Sequence, residues 1–484
     1  MREPPAGPLA DPQPQGRLRS FGLLRGGYPM NPLRILLITY LFPPVGGVGV
    51  LRAASLARYF PAEGIQLDVL TARNPASVGS DHRLLAEIPD EVRVHRTLTP
   101  DLPFGIKKWI KRLIVGRASR TNGETASRES GNPALSKRLV QDLLLPDPQV
   151  TWLPVLKRTA RRIIRDRAID LVLITVPPFS CLLLVEDLRR RFPELPIVVD
   201  FRDEWLATAF DLFLFNRSRR ARRVAQRIEA DAVGNATTVV AVTEGQRQQI
   251  RARYPGQSEN KFILISNGFE PGSLQHNVSP VRRCDRIVAS YVGTVYTLTN
   301  PTELVEALLQ LPPEVKSRFL LRFIGHIEEP RFRSALLQLG DMVELMGFMP
   351  QREALALMNE TDYVLLINHD RHNVGGKFYD YIGSGKPILG AIHPQGDARQ
   401  LIEELRAGWW ADIHDIKAVR KLFLDASARG KPPFVDFKPD TAKIAQYERG
   451  ALAKRYAALL HSIAASARVS EPARSPAERI GKGS

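Results

Sequence analysis

The chain has 484 residues, 44% of them hydrophobic and 25% charged; it is too long for one ordinary domain, and collagen-like, coiled-coil and wholly disordered architectures are excluded. Two distant cysteines, Cys181 and Cys284, exclude a disulfide framework and a cysteine-rich zinc site. The net charge of +17 is uneven: residues 31–275 carry 36 Lys and Arg against 25 Asp and Glu, and residues 276–430 carry 18 against 19, so the first half suits an anionic partner such as a phosphorylated substrate, a membrane surface or nucleic acid.

Residues 1–30 are rich in Pro, Gly and Arg with no apolar core, which predicts a disordered tail rather than a signal peptide. Apolar runs then predict strands at Arg34–Tyr40, Gln66–Thr71, Val92–Arg96, Leu171–Thr175, Ile197–Phe201 and Thr237–Thr243. Helical spacing lies between them at Val50–Phe60, Val155–Arg167, Cys181–Phe192 and Arg217–Ala232, with a polar mobile loop over about 116–136. The pattern restarts after a charged linker, Pro271–Asp285. Strands are expected at Ile287–Gly293, Phe319–Gly325, Val343–Met346, Tyr363–Ile367 and Pro387–Ala391, and helices at Pro301–Leu311, Arg352–Asn359, Lys377–Ser384 and Ala398–Leu405. This alternation predicts an α/β protein of two Rossmann-like domains, 31–275 and 276–430, facing a cleft at the carboxyl ends of their strands. A helical segment, 431–465, is expected to return to the first domain, and 466–484 to be a disordered tail. The longest apolar stretches, Ile35–Leu51 and Leu171–Val185, are each broken by a Pro-Pro pair, and neither reaches the roughly 20 residues a bilayer requires.

Three motifs carry chemistry. Phe42–Arg52 places Gly46, Gly47 and Gly49 between a strand and a helix, where backbone can approach an anion. A dinucleotide fingerprint needs a small residue at position 52, which is Arg52, so a nicotinamide enzyme is disfavoured. A tight structural turn is the plain alternative. Val199–Trp205 crowds Asp200, Arg202, Asp203, Glu204 and Trp205 at a strand's carboxyl end. The third motif, Asn373–Leu389, is the most specific. Gly375-Gly376 opens a helix with free N–H groups, and Lys377 is unfavourable there unless an anion binds. Asp380 lies one turn on, where a carboxylate can accept from two sugar hydroxyls.

At these residues the chain resembles glycosyltransferase family 4, retaining nucleotide-sugar transferases of the GT-B fold. The likeness spans about Asn31 to Leu460 and also draws on Ile265–Phe269, Tyr291–Thr294, Phe323–Gly325 and Val343–Pro350. It implies an acceptor-binding first domain, a donor-binding second domain and metal-independent transfer. Gly47, Gly49, Arg52, Gly293, Thr294, Gly375, Gly376, Lys377 and Asp380 would bind the donor, and Arg202, Asp203 and Trp205 are acceptor-side candidates. The family's Glu-x7-Glu motif becomes His372 and Asp380 here, so His372, Lys377 and Asp380 are the candidate catalytic residues. No metal ligand, cofactor or nucleic-acid partner is expected. The alternatives are an epimerase or hydrolase acting on nucleotide-sugars, and an inactive partner of another transferase.

Phe104–Val115 gathers Ile106, Trp109, Ile110, Leu113 and Ile114 on one helical side and Lys107, Lys108, Lys111 and Arg112 on the other. This is the pattern of an interfacial anchor. It predicts a cytoplasmic protein resting peripherally on an anionic inner membrane face, with a lipid-linked acceptor used in cell-surface polysaccharide or glycolipid synthesis.

Overall fold

The computed structural model describes residues 32–75, 79–99, 145–206, 219–271, 285–349 and 351–470. Everything described from Leu33 onward belongs to one compact unit. Seven parallel strands form the first sheet: β1 Leu33–Ile38, β2 Ile65–Ala72, β3 Arg93–Thr97, β4 Leu171–Val176, β5 Ile197–Phe201, β6 Thr238–Ala241 and β7 Phe262–Leu264. Their order is β3-β2-β1-β4-β5-β6-β7. The second sheet holds β8 Ile287–Val292, β9 Phe319–Ile324, β10 Val343–Gly347, β11 Tyr363–Asn368, β12 Ile388–Ile392 and β13 Gly408–Asp412, in the order β10-β9-β8-β11-β12-β13. Both are doubly wound, and the expected two-sheet α/β fold class is the one observed.

Central strands such as β4 and β11 are buried along their whole length, because helices cover both faces of a parallel sheet. Their continuous Val, Leu and Ile runs are what made them legible. The strand expected to reach Thr243 stops pairing at Ala241, because Thr243 caps the helix Glu244–Arg253. That helix was not expected. It reads EGQRQQIRAR and shows no apolar stripe, with Ile250 its one buried apolar side chain. The half-buried edge strand β13 and the helices Pro330–Leu337 and Ile416–Arg429 were missed as well.

The long final helix Arg449–Ser470 packs Leu452, Ala453, Tyr456, Leu460 and Ala464 into the same core as Leu33, Ile35, Leu37 and the helix Val48–Tyr59. Main-chain bonds from Phe269 N to the Tyr447 carbonyl (3.1 Å) and from Arg449 N to the Phe269 carbonyl (2.9 Å) hold the chain leading into it.

The amphipathic stretch 104–115, the loop 116–136, residues 272–284 of the linker, the tail 1–30 and residues 471–484 lie outside the described residues; the tail expected to be disordered from 466 is instead helical as far as Ser470, because the final helix continues through it. Among the described residues, no helix is long and apolar enough to cross a membrane.

Candidate active site

Strand order reverses between β1 and β4 in the first sheet and between β8 and β11 in the second. Loops leaving such points diverge and open a crevice. A cavity of about 280 Å³ lies here. The first sheet contributes Gly49, Arg202, Asp203, Thr243 and Ile265–Gly268 to its wall; the second contributes His372–Gly376 and Asp380; the final helix adds Arg449 and Tyr456.

The loop after β11 is fixed by its own side chains. Asp370 Oδ1 accepts from the N–H groups of His372 (2.7 Å) and Asn373 (3.0 Å), and Asn373 Oδ1 accepts from Gly375 N–H (2.8 Å). Gly375 takes φ +68 and leads into the helix Gly376–Gly383, which no side chain caps. Its first-turn N–H groups therefore lack an intrahelical or capping partner. The Gly375 N–H, expected to serve a ligand, is instead spent on Asn373. At Gly376 a Cβ would come within 2.7 Å of Val48 Cγ1, so the bare backbone lets the glycine loop after β1 meet this helix start.

Lys377 sits at the carboxyl end of β8. Its Nζ lies 3.9 Å from the centre of the Tyr291 ring and donates to the Tyr291 hydroxyl. Lys377 Nζ is also 3.9 Å from the Cβ position of Gly293. Burial without a carboxylate partner lowers the lysine to about 7. Asp380 is pushed up to about 6 by burial, against the opposing pull of Arg449. Thr294 presents its carbonyl to the Tyr291 hydroxyl at 2.8 Å. Gly47 ends the first loop at φ +101 as the cap of the helix Val48–Tyr59. Lys377, Gly293, Thr294 and Gly47 stand beside the cavity rather than among its lining residues.

Two expected ligand-binding residues are held by the scaffold, although Arg52 also lines the cavity. Arg52 was expected to reach a diphosphate. Its Nε and Nη2 pair with Asp200 (2.9 and 2.8 Å), while Nη1 donates to the Ser266 carbonyl (2.7 Å) and Nη2 to the Ile265 carbonyl (2.9 Å). Asp200 also accepts from Thr175 Oγ1 at 2.9 Å. With every guanidinium nitrogen engaged, Arg52 ties its helix to β5 and to the loop after β7. Trp205, an acceptor-side candidate, is buried and stacked on Phe179, with ring centres 4.5 Å apart and planes at 2°. It completes the core because its indole finds more apolar contact there than at the cleft. Arg202 donates to the carbonyls of Pro177 (2.6 Å) and Gly49 and so joins the loops after β1 and β4. Asp203 keeps a cleft position, its carboxyl raised by burial and held back by Arg202.

His372 lies where the sheets meet. Its carbonyl accepts from Thr243 Oγ1 at 2.8 Å, and Asp397 accepts from Gly245 N–H at 3.1 and 3.2 Å. A Cβ on Gly245 would fall 2.2 Å from His372 Nδ1 and 2.7 Å from Asp397 Oδ2. His372 Nδ1 is buried without a hydrogen-bond partner. Sequence reasoning missed Thr243, Gly245 and Arg449. The first two carried a signal: Thr243-Glu244-Gly245-Gln246 has capping-box spacing directly after a strand. Arg449 carried none, because only the return of the last helix brings it here.

The family model of the glycosyl transferase 4-like domain matches residues 46–268. The two sheets have the GT-B fold of the similar solved structures. Anabaena HepE in complex with UDP and glucose is a similar solved structure, with 16% identity, 89% of this chain and 100% of that one covered, and a TM-score of 0.59. Sucrose-phosphate synthase from Thermosynechococcus elongatus matches at 14% identity, covering 90% and 97%, with a TM-score of 0.52. The lipopolysaccharide outer core galactosyltransferase WaaB matches at 12%, covering 89% and 99%, with a TM-score of 0.50. No curated protein matches the sequence.

Proposed function

We propose that the chain transfers a sugar from a nucleoside-diphosphate sugar onto a lipid-linked acceptor, with retention at the anomeric carbon. The observation that carries this reading is the uncapped start of the helix Gly376–Gly383 at the switch point of the second sheet, with Lys377 and Asp380 in its first turns. The similar structures named for complexes with UDP and glucose, and for sucrose-phosphate synthesis, support the donor class. The family domain itself supports sugar transfer.

In this reading the first-turn N–H groups and Lys377 take the diphosphate, and Asp380 accepts hydrogen bonds from the ribose. The bond from the sugar's anomeric carbon to the β-phosphate oxygen breaks, and the electron pair leaves with the nucleoside diphosphate. Fixed N–H dipoles, joined by the Lys377 ammonium once it swings from Tyr291 toward the diphosphate, would meet the main catalytic demand without a metal in the step. The acceptor oxygen bonds to the anomeric carbon from the same face and gives its proton to a phosphate oxygen. His372 Nδ1 and Asp203 flank the sugar and acceptor ends of the cavity. The basic first half and the WaaB likeness favour a lipid-linked acceptor and a peripheral position at the cytoplasmic membrane face.

The test supplies UDP-, GDP- and ADP-sugars, labelled in the sugar, together with an anionic lipid extract. Label entering the organic phase with one donor, matched by release of its nucleoside diphosphate, is the expected result. Nucleoside diphosphate release into water alone identifies a hydrolase. No binding of any donor leaves only the inactive-partner reading.

A further inference from the structure

Three loops at the carboxyl end of the second sheet bring together residues that are far apart in sequence. Glu303 lies in the first turn of the helix Thr302–Leu309, His369 directly follows β11, and His414 lies two residues past the end of β13. One donor atom from each lies within 4.8 Å of the others. His369 Nε2 is 3.8 Å from Glu303 Oε2 and 2.9 Å from the Asn300 carbonyl oxygen. The His369 and His414 rings are centred 5.5 Å apart, and the His393 and His414 rings 6.0 Å apart. None of these residues lines the cavity of the candidate active site.

We propose that Glu303, His369, His414 and the Asn300 carbonyl form a binding site for a borderline divalent cation, Zn2+ foremost. Two imidazoles with one carboxylate match a frequent zinc donor set, and the mixture of nitrogen and oxygen donors disfavours Ca2+ and Mg2+. Ligands at zinc distances stand roughly 3.4 Å apart, so the Glu303, His369 and His414 donors must close by up to about 1.4 Å from their 4.8 Å limit, while His369 Nε2 and the Asn300 carbonyl, now 2.9 Å apart, open slightly. His414 is exposed and free to turn, whereas the backbone around the other ligands is fixed. His369 N–H donates to the Leu298 carbonyl at 3.0 Å, and Asn300 Oδ1 accepts from Thr302 N–H at 3.0 Å. The cation would clamp the loops after β8, β11 and β13 to one another. The loop after β11 is also the one that leads to Gly375, so the clamp would stiffen the candidate donor site without entering the reaction. The site stands independently of the proposed transferase activity.

The test is equilibrium competition of the full chain against a chromophoric zinc chelator, with Co2+ absorption as a second readout. One tight equivalent of Zn2+, thermal stabilisation by Zn2+ and Co2+ ligand-field bands of low coordination number are expected. His414→Ala and Glu303→Gln should each weaken that equivalent at least tenfold and remove the stabilisation. Both positions are solvent-accessible, and far-UV circular dichroism checks their folding. The exposed His82→Ala should change nothing. Failure of the parent protein to bind Zn2+, or equal binding by the His414→Ala and Glu303→Gln variants, overturns the proposal.

Discussion

At the residue scale, the roles proposed for Lys377 and Asp380 can be tested through their ionisation, because burial holds each away from its ordinary value. Lys377, lowered to about 7, is largely neutral at pH 8 until an anion arrives. Binding of a nucleoside diphosphate at that pH should therefore take up close to one proton, read from calorimetry in buffers of different ionisation enthalpy, and Lys377→Met should abolish the uptake. Between about pH 7 and the unfolded value near 10.5, the unfolded chain binds the extra proton. Lys377 thus makes stability rise with pH across that window, and Lys377→Met should remove its share of the slope. Asp380, raised to about 6, is protonated below that pH and loses acceptor capacity. Nucleotide affinity should fall as pH drops through 6 in the parent protein, and Asp380→Asn should be weaker throughout and flat over the same range. Losing either charge-assisted contact should cost roughly 1.5–3 kcal/mol of binding; unchanged affinity in both variants would contradict the assignment. Arg52 belongs to a different class. Arg52→Ala leaves Asp200 buried beside an empty space, and breaking such a pair costs about 3–5 kcal/mol. Urea unfolding should show that loss, and restoring stability with a ligand should not depend on position 52.

At the element scale, the proposed role of the helix Gly376–Gly383 rests on a start that no described side chain caps, beside the cavity that Gly375, Gly376 and Asp380 line. Gly376→Ala would press a methyl group against Val48 and force the β1 loop away. Nucleotide affinity should drop at least tenfold in that variant with little change in its melting temperature; unchanged affinity would show that the two loops do not need to meet. The sequence made this helix legible through its paired glycines and the lysine placed against the dipole. The strands were legible because parallel, doubly covered strands are written as unbroken apolar runs. What could not be read was the pairing of side chains across distance. Arg52 and Asp200 are 148 residues apart, and the glycine motif looked the same whether its arginine faced ligand or core. Trp205 likewise sat among acids at a strand end, and only Phe179 opposite decides that it turns inward. The helix Glu244–Arg253 stayed hidden because it buries so little apolar surface.

At the scale of the whole molecule, the described contacts where the two α/β sheets meet include two polar ones, Thr243 with the His372 carbonyl and Gly245 with Asp397, and apolar ones, Val48 against Gly376 and Phe269 against Gly383. Seams of this kind permit closure around a ligand. Solution scattering should show a smaller radius of gyration when a nucleotide-sugar saturates the site, and identical curves would count against a site between the sheets. The basic first half carries a further expectation. Liposome flotation should show binding to anionic but not neutral vesicles at low salt, weakened by a Lys107/Lys108/Lys111/Arg112→Glu variant. Equal flotation of parent and variant would end the membrane proposal. The most direct measurement for the site as a whole is a crystal structure of the chain with a nucleoside diphosphate. The diphosphate should lie within hydrogen-bond distance of the first-turn N–H groups at Gly376 and of Lys377 Nζ, with the ribose hydroxyls on Asp380. Nucleotide bound elsewhere, or bound with Lys377 still turned onto Tyr291 and Asp380 without contact, would contradict the proposed donor site.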